Sequence, residues 1–175
     1  MTPLRLAGVV AAGLLAGTCV VVFSWTVEAA VGAAGCLVLG AVTVTDLERR
    51  VVPNRVVLPA LAVALIAQTA REPSPEWVAS ALGAGGFFLV AAILHPAGLG
   101  MGDVKLAAFL GAWLGREVIV ALFVGSLLAF VPAVALLAIK GSAARKISLP
   151  YAPFLAAGGV VALFFGVDFV DWWLN

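Results

Sequence analysis

The chain has 175 residues, 64% of them hydrophobic and only 11% charged, with a formal net charge of +1. Soluble domains average roughly 45–50% apolar and about 25% charged residues. A water-soluble fold could not cover so much apolar surface, so a membrane-embedded chain is expected, with lipids as its surroundings and no nucleic-acid partner.

The first apolar run, residues 4–24, opens with a lone arginine, Arg5, much as a signal peptide does. Ala-Gly-Thr before Cys19 fits a lipoprotein cleavage site poorly, and the run continues through VVVF. An uncleaved first membrane helix is therefore expected. Further runs follow at 28–46, 55–70, 77–95, 103–115, 118–139 and 150–172. Together they predict an all-α, polytopic bundle of about seven transmembrane helices forming one domain over residues 1–175. A crossing helix needs about 20 residues. The third and fifth runs are short, and the fifth would rise only about 20 Å. It must start below the membrane surface or thin the bilayer locally.

Placing the N-terminus in the cytoplasm puts Arg5, Arg49, Arg50, Arg55, Lys105, Lys140, Arg145 and Lys146 inside, and only Arg71 and Arg116 outside. That asymmetry is a positive-inside pattern. Glu28, Glu72, Glu76, Glu117, Asp168 and Asp171 then fall outside, and Trp172 and Trp173 take an interfacial position. Cys19 and Cys36 lie within apolar runs and His95 is the only histidine. No zinc site and no cofactor are implied, since a closed zinc site wants four such ligands.

This topology leaves Asp46, Glu48 and Asp103 at the cytoplasmic edge. Asp46 closes the second run in VTVTDLERRVVPN, and Asp103 opens the fifth in GLGMGDVKL. Ionisable side chains at membrane depth are expensive, so each is a functional candidate. Two carboxylates sharing one water cannot both ionise easily. One can take a proton from the water while the other polarises a carbonyl, which is aspartic proteolysis without a metal. The bland alternatives are that Asp103 is a helix N-cap and that Asp46 is a solvated loop residue. Gly100 and Gly102 would let a backbone approach the acid closely, or merely form a tight turn. A phosphate-cradling loop is disfavoured, because the flanks are membrane helices and an acid follows the glycines.

GMGD at Gly100–Asp103, DLERRVVPN at Asp46–Asn54 and LPYAPFLAAGG at Leu149–Gly159 occur in this order. They resemble the three motifs of the type IV prepilin peptidases, GxGD-type membrane aspartic proteases. The resemblance is strongest over residues 28–172. It implies an endopeptidase that removes the basic leader of prepilins and pseudopilins just before their apolar helix. The site would face the cytoplasm, in the inner membrane of a prokaryote. It assigns catalysis to Asp46 and Asp103, with Gly100 and Gly102 shaping the second motif. Larger members carry a cytoplasmic CxxC domain and many also methylate; the chain is similar to short members without it, so methylation is not expected. Ala152 stands where the third motif usually has glycine.

Lys105 is expected to reach lipid headgroups rather than Asp103, since residues two apart on a helix do not share a face. Pro53 and Asn54 read as a turn and an N-cap, Pro150 and Pro153 as the start of the last helix. Arg49, Arg50 and Arg55 are expected to set topology, and Glu48 to be solvated. The alternatives are a GxGD protease with another substrate, a proton-coupled transporter or an inactive prepilin-binding factor. Against the transporter, both acids lie at one edge and no inverted repeat is found.

Overall fold

The computed structural model describes residues 2–24, 26–95, 99–141 and 149–174. Gly98, Arg145 and Lys146 lie outside them. Among the described residues the chain forms α1 (Pro3–Phe23), α2 (Val27–Arg49), α3 (Asn54–Arg71), α4 (Glu76–Leu94), α5 (Met101–Leu114), a 3-10 turn (Gly115–Glu117), α6 (Val118–Lys140) and α7 (Ala152–Leu174). The all-helical expectation holds. The count of seven crossings does not follow as directly. Five segments are long and apolar enough to cross a membrane, with Met101–Lys140 counting as one and α3 not among them. The polar residues Asn54, Arg55, Gln68 and Arg71 at the two ends of α3 shorten its apolar stretch.

Local chemistry places the ends. Thr2 caps α1 by accepting from the Arg5 amide, with Pro3 as its first residue. Thr26 caps α2 by accepting from the Ala29 amide. The other end of α2 closes in a left-handed turn at Arg50, φ 53°, whose amide donates to the Asp46 carbonyl at 2.8 Å.

Contacts between helix ends show that neighbours alternate in direction. At one end Arg5 pairs with Glu48 at 2.9 Å, and Lys105 reaches Asn54 at 2.8 Å. At the other end Arg71 pairs with Glu28 at 2.7 Å. There the Arg116 amide donates to Glu76 Oε1 at 3.0 Å, and its guanidinium reaches Asp171 at 3.3 Å. The buried Gln68 donates to the Trp113 carbonyl at 2.6 Å, tying α3 to α5. Glu48 is thus not simply solvated. It takes Arg5 and the Thr2 hydroxyl, fastening α1 to the end of α2.

Helix α5 is the enclosed centre, with nine of its fourteen residues buried. Small residues let backbones approach it and one another. A Cβ on Gly111 would strike the Ser80 carbonyl of α4, and one on Gly158 of α7 would strike the Ala121 carbonyl of α6. In lipid such close packing replaces the hydrophobic drive available in water. On α1 and α2, Cys19 and Cys36 are fully buried and 3.8 Å apart.

Helices α4 and α6 outrun α5. Gly85 of α4 lies beside Val104 and Ala108. The remaining residues to Leu94 add about 14 Å of helix. Ser126 of α6 meets Tyr151 just before α7 begins. From there α6 continues to Lys140 for about 20 Å more. The short fifth helix therefore starts at a depth that its neighbours pass.

Gly111→Ala is expected to cost about 1–3 kcal/mol through overpacking. Gly13→Ala in α1, where nothing lies within 4 Å, should be neutral. Thermal melting in detergent compares the two, and equal midpoints would contradict the packing described.

Candidate active site

Asp46 sits in the last turn of α2, 6% exposed. Its place is set by the apolar run before it and by the turn at Arg50. One carboxylate oxygen, Oδ2, accepts from the Ala152 amide of α7 at 3.2 Å. A carboxylate buried among helices is costly unless it is hydrogen-bonded, and a main-chain amide supplies this bond. Asp46 is therefore not a solvated loop residue. The alanine in the third motif changes nothing at this contact, because any residue but proline brings the amide.

Asp103 is the third residue of α5 and partly exposed. Its Oδ2 accepts from the Gly100 amide at 3.2 Å. Gly100 is the N-cap, so Asp103 is not the cap but reaches back to it, like the acid of a capping box. Satisfying one orphan amide leaves the other carboxylate oxygen free of that task. Asp46 lies within electrostatic reach of Asp103. The two positions are 57 residues apart in sequence.

The supporting residues lock the first two motifs to each other. A Cβ on Gly102 would lie 2.7 Å from the Val52 Cβ, so this glycine lets the 50–53 turn pack on the first turn of α5. The space beside Gly102 is filled by the chain itself rather than left for a substrate. Gly100 is exposed, and its Cβ would have Asp103 Oδ2 at 3.4 Å and the Gly102 amide nitrogen at 3.9 Å, both ordinary contacts. Neither glycine has a positive φ. Lys105, expected at headgroups, donates from Nζ to Asn54 Oδ1 at 2.8 Å, clasping α5 to α3. That contact also corrects the reading of Asn54. Pro53 is the N-cap of α3, and Asn54, its first helical residue, turns its side chain to Lys105. Pro150 precedes α7 and Pro153 is its second residue, where no intrahelical N–H is needed. Exposed Arg49, Arg50 and Arg55 flank the same turn. His95 caps α4 at an exposed position.

Tyr151 and Ser126 belong to the same neighbourhood and were not singled out from sequence. The Tyr151 hydroxyl and Ser126 Oγ are 2.9 Å apart. The Tyr151 ring packs against Phe88 of α4 with centroids 6.0 Å apart. The available signal was composition. Tyr151 is the one tyrosine in the chain, and Ser126 is the one polar side chain in α6 before Lys140. Among the described residues no group of three or more His, Cys, Asp or Glu could hold a metal.

A family model described as the type IV leader peptidase family matches residues 33–134. The chain is 36% identical over 141 residues to the prepilin leader peptidase/N-methyltransferase of Bacillus subtilis (strain 168), covering 77% of this chain and 55% of that protein. It is 32% identical over 147 residues to the protein so described from Aeromonas salmonicida (strain A449), covering 79% and 50%. Over 78 residues it is 46% identical to the one from Burkholderia pseudomallei (strain K96243), covering 41% and 23%. The chain spans about half the length of the first two of these relatives. No solved structure matches it.

Gly102→Ala is expected to lower the melting midpoint, at about 1–3 kcal/mol of overpacking, and Val52→Gly to restore part of it. Gly100→Ala should be tolerated. A tolerated Gly102→Ala would mean that the two motifs do not pack as described.

Proposed function

Since the chain belongs to the type IV leader peptidase family and is a multi-pass membrane protein, we propose that it is an aspartic endopeptidase. Its substrates would be prepilin-like or pseudopilin-like proteins with a basic leader and an apolar helix. The observation that supports this reading is that Asp46 and Asp103, each held by a main-chain amide, stand at the same end of the bundle within electrostatic reach of each other.

In the proposed reaction a water lies between the two carboxylates, one ionised and one protonated. The ionised acid takes a proton as the water oxygen attacks the scissile carbonyl carbon. The protonated acid donates a hydrogen bond to the carbonyl oxygen. Collapse of the tetrahedral adduct breaks the C–N bond, and a proton passes to the departing amine. Neither a metal nor a cofactor enters the step. The Lys105–Asn54 clasp and the Val52–Gly102 packing would keep the turn after Asp46 in register with the start of α5.

Orientation is part of the proposal. Arg49, Arg50 and Arg55 cluster at the acid-bearing end, which by the positive-inside rule supports a cytoplasmic orientation of that end; the membrane would be a prokaryotic inner membrane. There a leader would remain in water while the apolar helix stays in lipid. All 175 residues are read as one peptidase domain.

Co-expression with a candidate prepilin, followed by intact mass, tests the reading. The expected product lacks the leader. Asp46→Asn and Asp103→Asn should each reduce its formation by about 10²–10⁴-fold, with unchanged amounts of enzyme in the membrane. Near-normal cleavage by either variant would remove the two-aspartate mechanism.

A further inference from the structure

The third motif contributes more than the Ala152 amide. Tyr151 sits immediately before that residue, and its carbonyl accepts from the Phe154 and Leu155 amides at 3.1 and 3.2 Å, forming the first turn of α7. Its side chain runs the other way, to Ser126 of α6 and Phe88 of α4. One residue thus joins three helices at the level of both acids. Helix α6 otherwise has no polar side chain from Val118 to Ile139. A lone hydroxyl in such a helix gains most by finding a partner on a neighbour. The approach of the two helices is prepared beside it. A Cβ on Gly125 would lie 3.0 Å from both the Leu155 Cα and the Phe154 carbonyl oxygen.

We propose that Tyr151, anchored by Ser126, is a positioning residue that holds the Ala152 amide against Asp46 and thereby sets the acid pair. The path is short. The Ser126 bond restrains the Tyr151 side chain, the restrained residue fixes the first turn of α7, and that turn carries the amide that Asp46 accepts. A phenol is protonated at neutral pH, so either hydroxyl can donate in the Tyr151–Ser126 bond. The kinetic consequence rests on the peptidase reading; the structural consequence does not.

The test uses the full chain purified in detergent, as wild type, Tyr151→Phe, Ser126→Ala, Ser126→Thr and the Tyr151→Phe/Ser126→Ala double variant. Cleavage of a prepilin gives kcat and KM. Hydrogen exchange read by mass spectrometry follows the first turn of α7. Losing one hydrogen bond should lower kcat by about threefold to tenfold with KM within about twofold, since the transition-state geometry changes and not substrate binding. Both single variants should speed exchange at the Ala152, Phe154 and Leu155 amides. The double variant should be no worse than either, because one bond is removed twice. Ser126→Thr, which keeps the hydroxyl, should restore both readouts.

Wild-type kcat with wild-type exchange in Tyr151→Phe would overturn the proposal. So would additive losses in the double variant, or a loss that tracks a lower melting midpoint and is not rescued by Ser126→Thr. If the wild type cuts no prepilin, the peptidase reading fails on its own, and the exchange data alone decide the positioning role.

Discussion

Everything near the site depends on one hydrogen bond, from the Ala152 amide to Asp46 Oδ2. Asp46 is buried within the bundle, and an unpartnered carboxylate there would cost several kcal/mol. The partner comes from 106 residues later in the chain. It is a main-chain group, so it demands a helix start at a given depth rather than a given side chain. That requirement explains why α7 opens where it does. Pro150 ends the approach, Tyr151 accepts the first turn's amides, and Pro153 occupies a position that needs no donor.

A bond of this kind holds only if α2 and α7 are themselves held. In lipid the means are close packing and satisfied polar pairs. Gly158 against Ala121 and Gly125 against Leu155 bring α6 and α7 together, and Gly111 brings α5 to α4. At the end away from the acids, Gln68 joins α3 to α5 through the Trp113 carbonyl, and Arg71 joins α3 to α2 through Glu28. The acids therefore stand on helices fixed at both ends. Asp103 opens the most enclosed of them, the rigid support that the proposed acid pair would need.

The residues misread from sequence share a cause. Lys105, Glu48 and Asn54 were given their commonest solitary fates: headgroup contact, solvation and helix capping. Each instead meets a partner far away in sequence: Asn54 for Lys105, Arg5 for Glu48. Gly102 was read as admitting a close backbone approach or as part of a tight turn, and the partner packed on it is the chain's own Val52. Periodicity and composition describe how one segment relates to solvent. They carry no information about which other segment lies alongside, and pairings over about 40 to 50 residues are invisible to them.

What the sequence determined by itself is the part governed by local physics. Apolar runs broken by charge and proline set the helices, with ends within about three residues. The expense of charge in lipid isolated Asp46 and Asp103 as candidates, and three motifs in order pointed to the family. Tertiary structure decided the rest: that Ala152 serves Asp46, that Val52 fills the notch at Gly102, that Lys105 clasps Asn54, and that Tyr151 ties α7 to Ser126. These contacts require the close approach of helices whose order in the chain says little about their neighbours in space. Segment identity follows from transfer energies summed along the chain, whereas the site follows from packing distances between chains of atoms that the sequence separates.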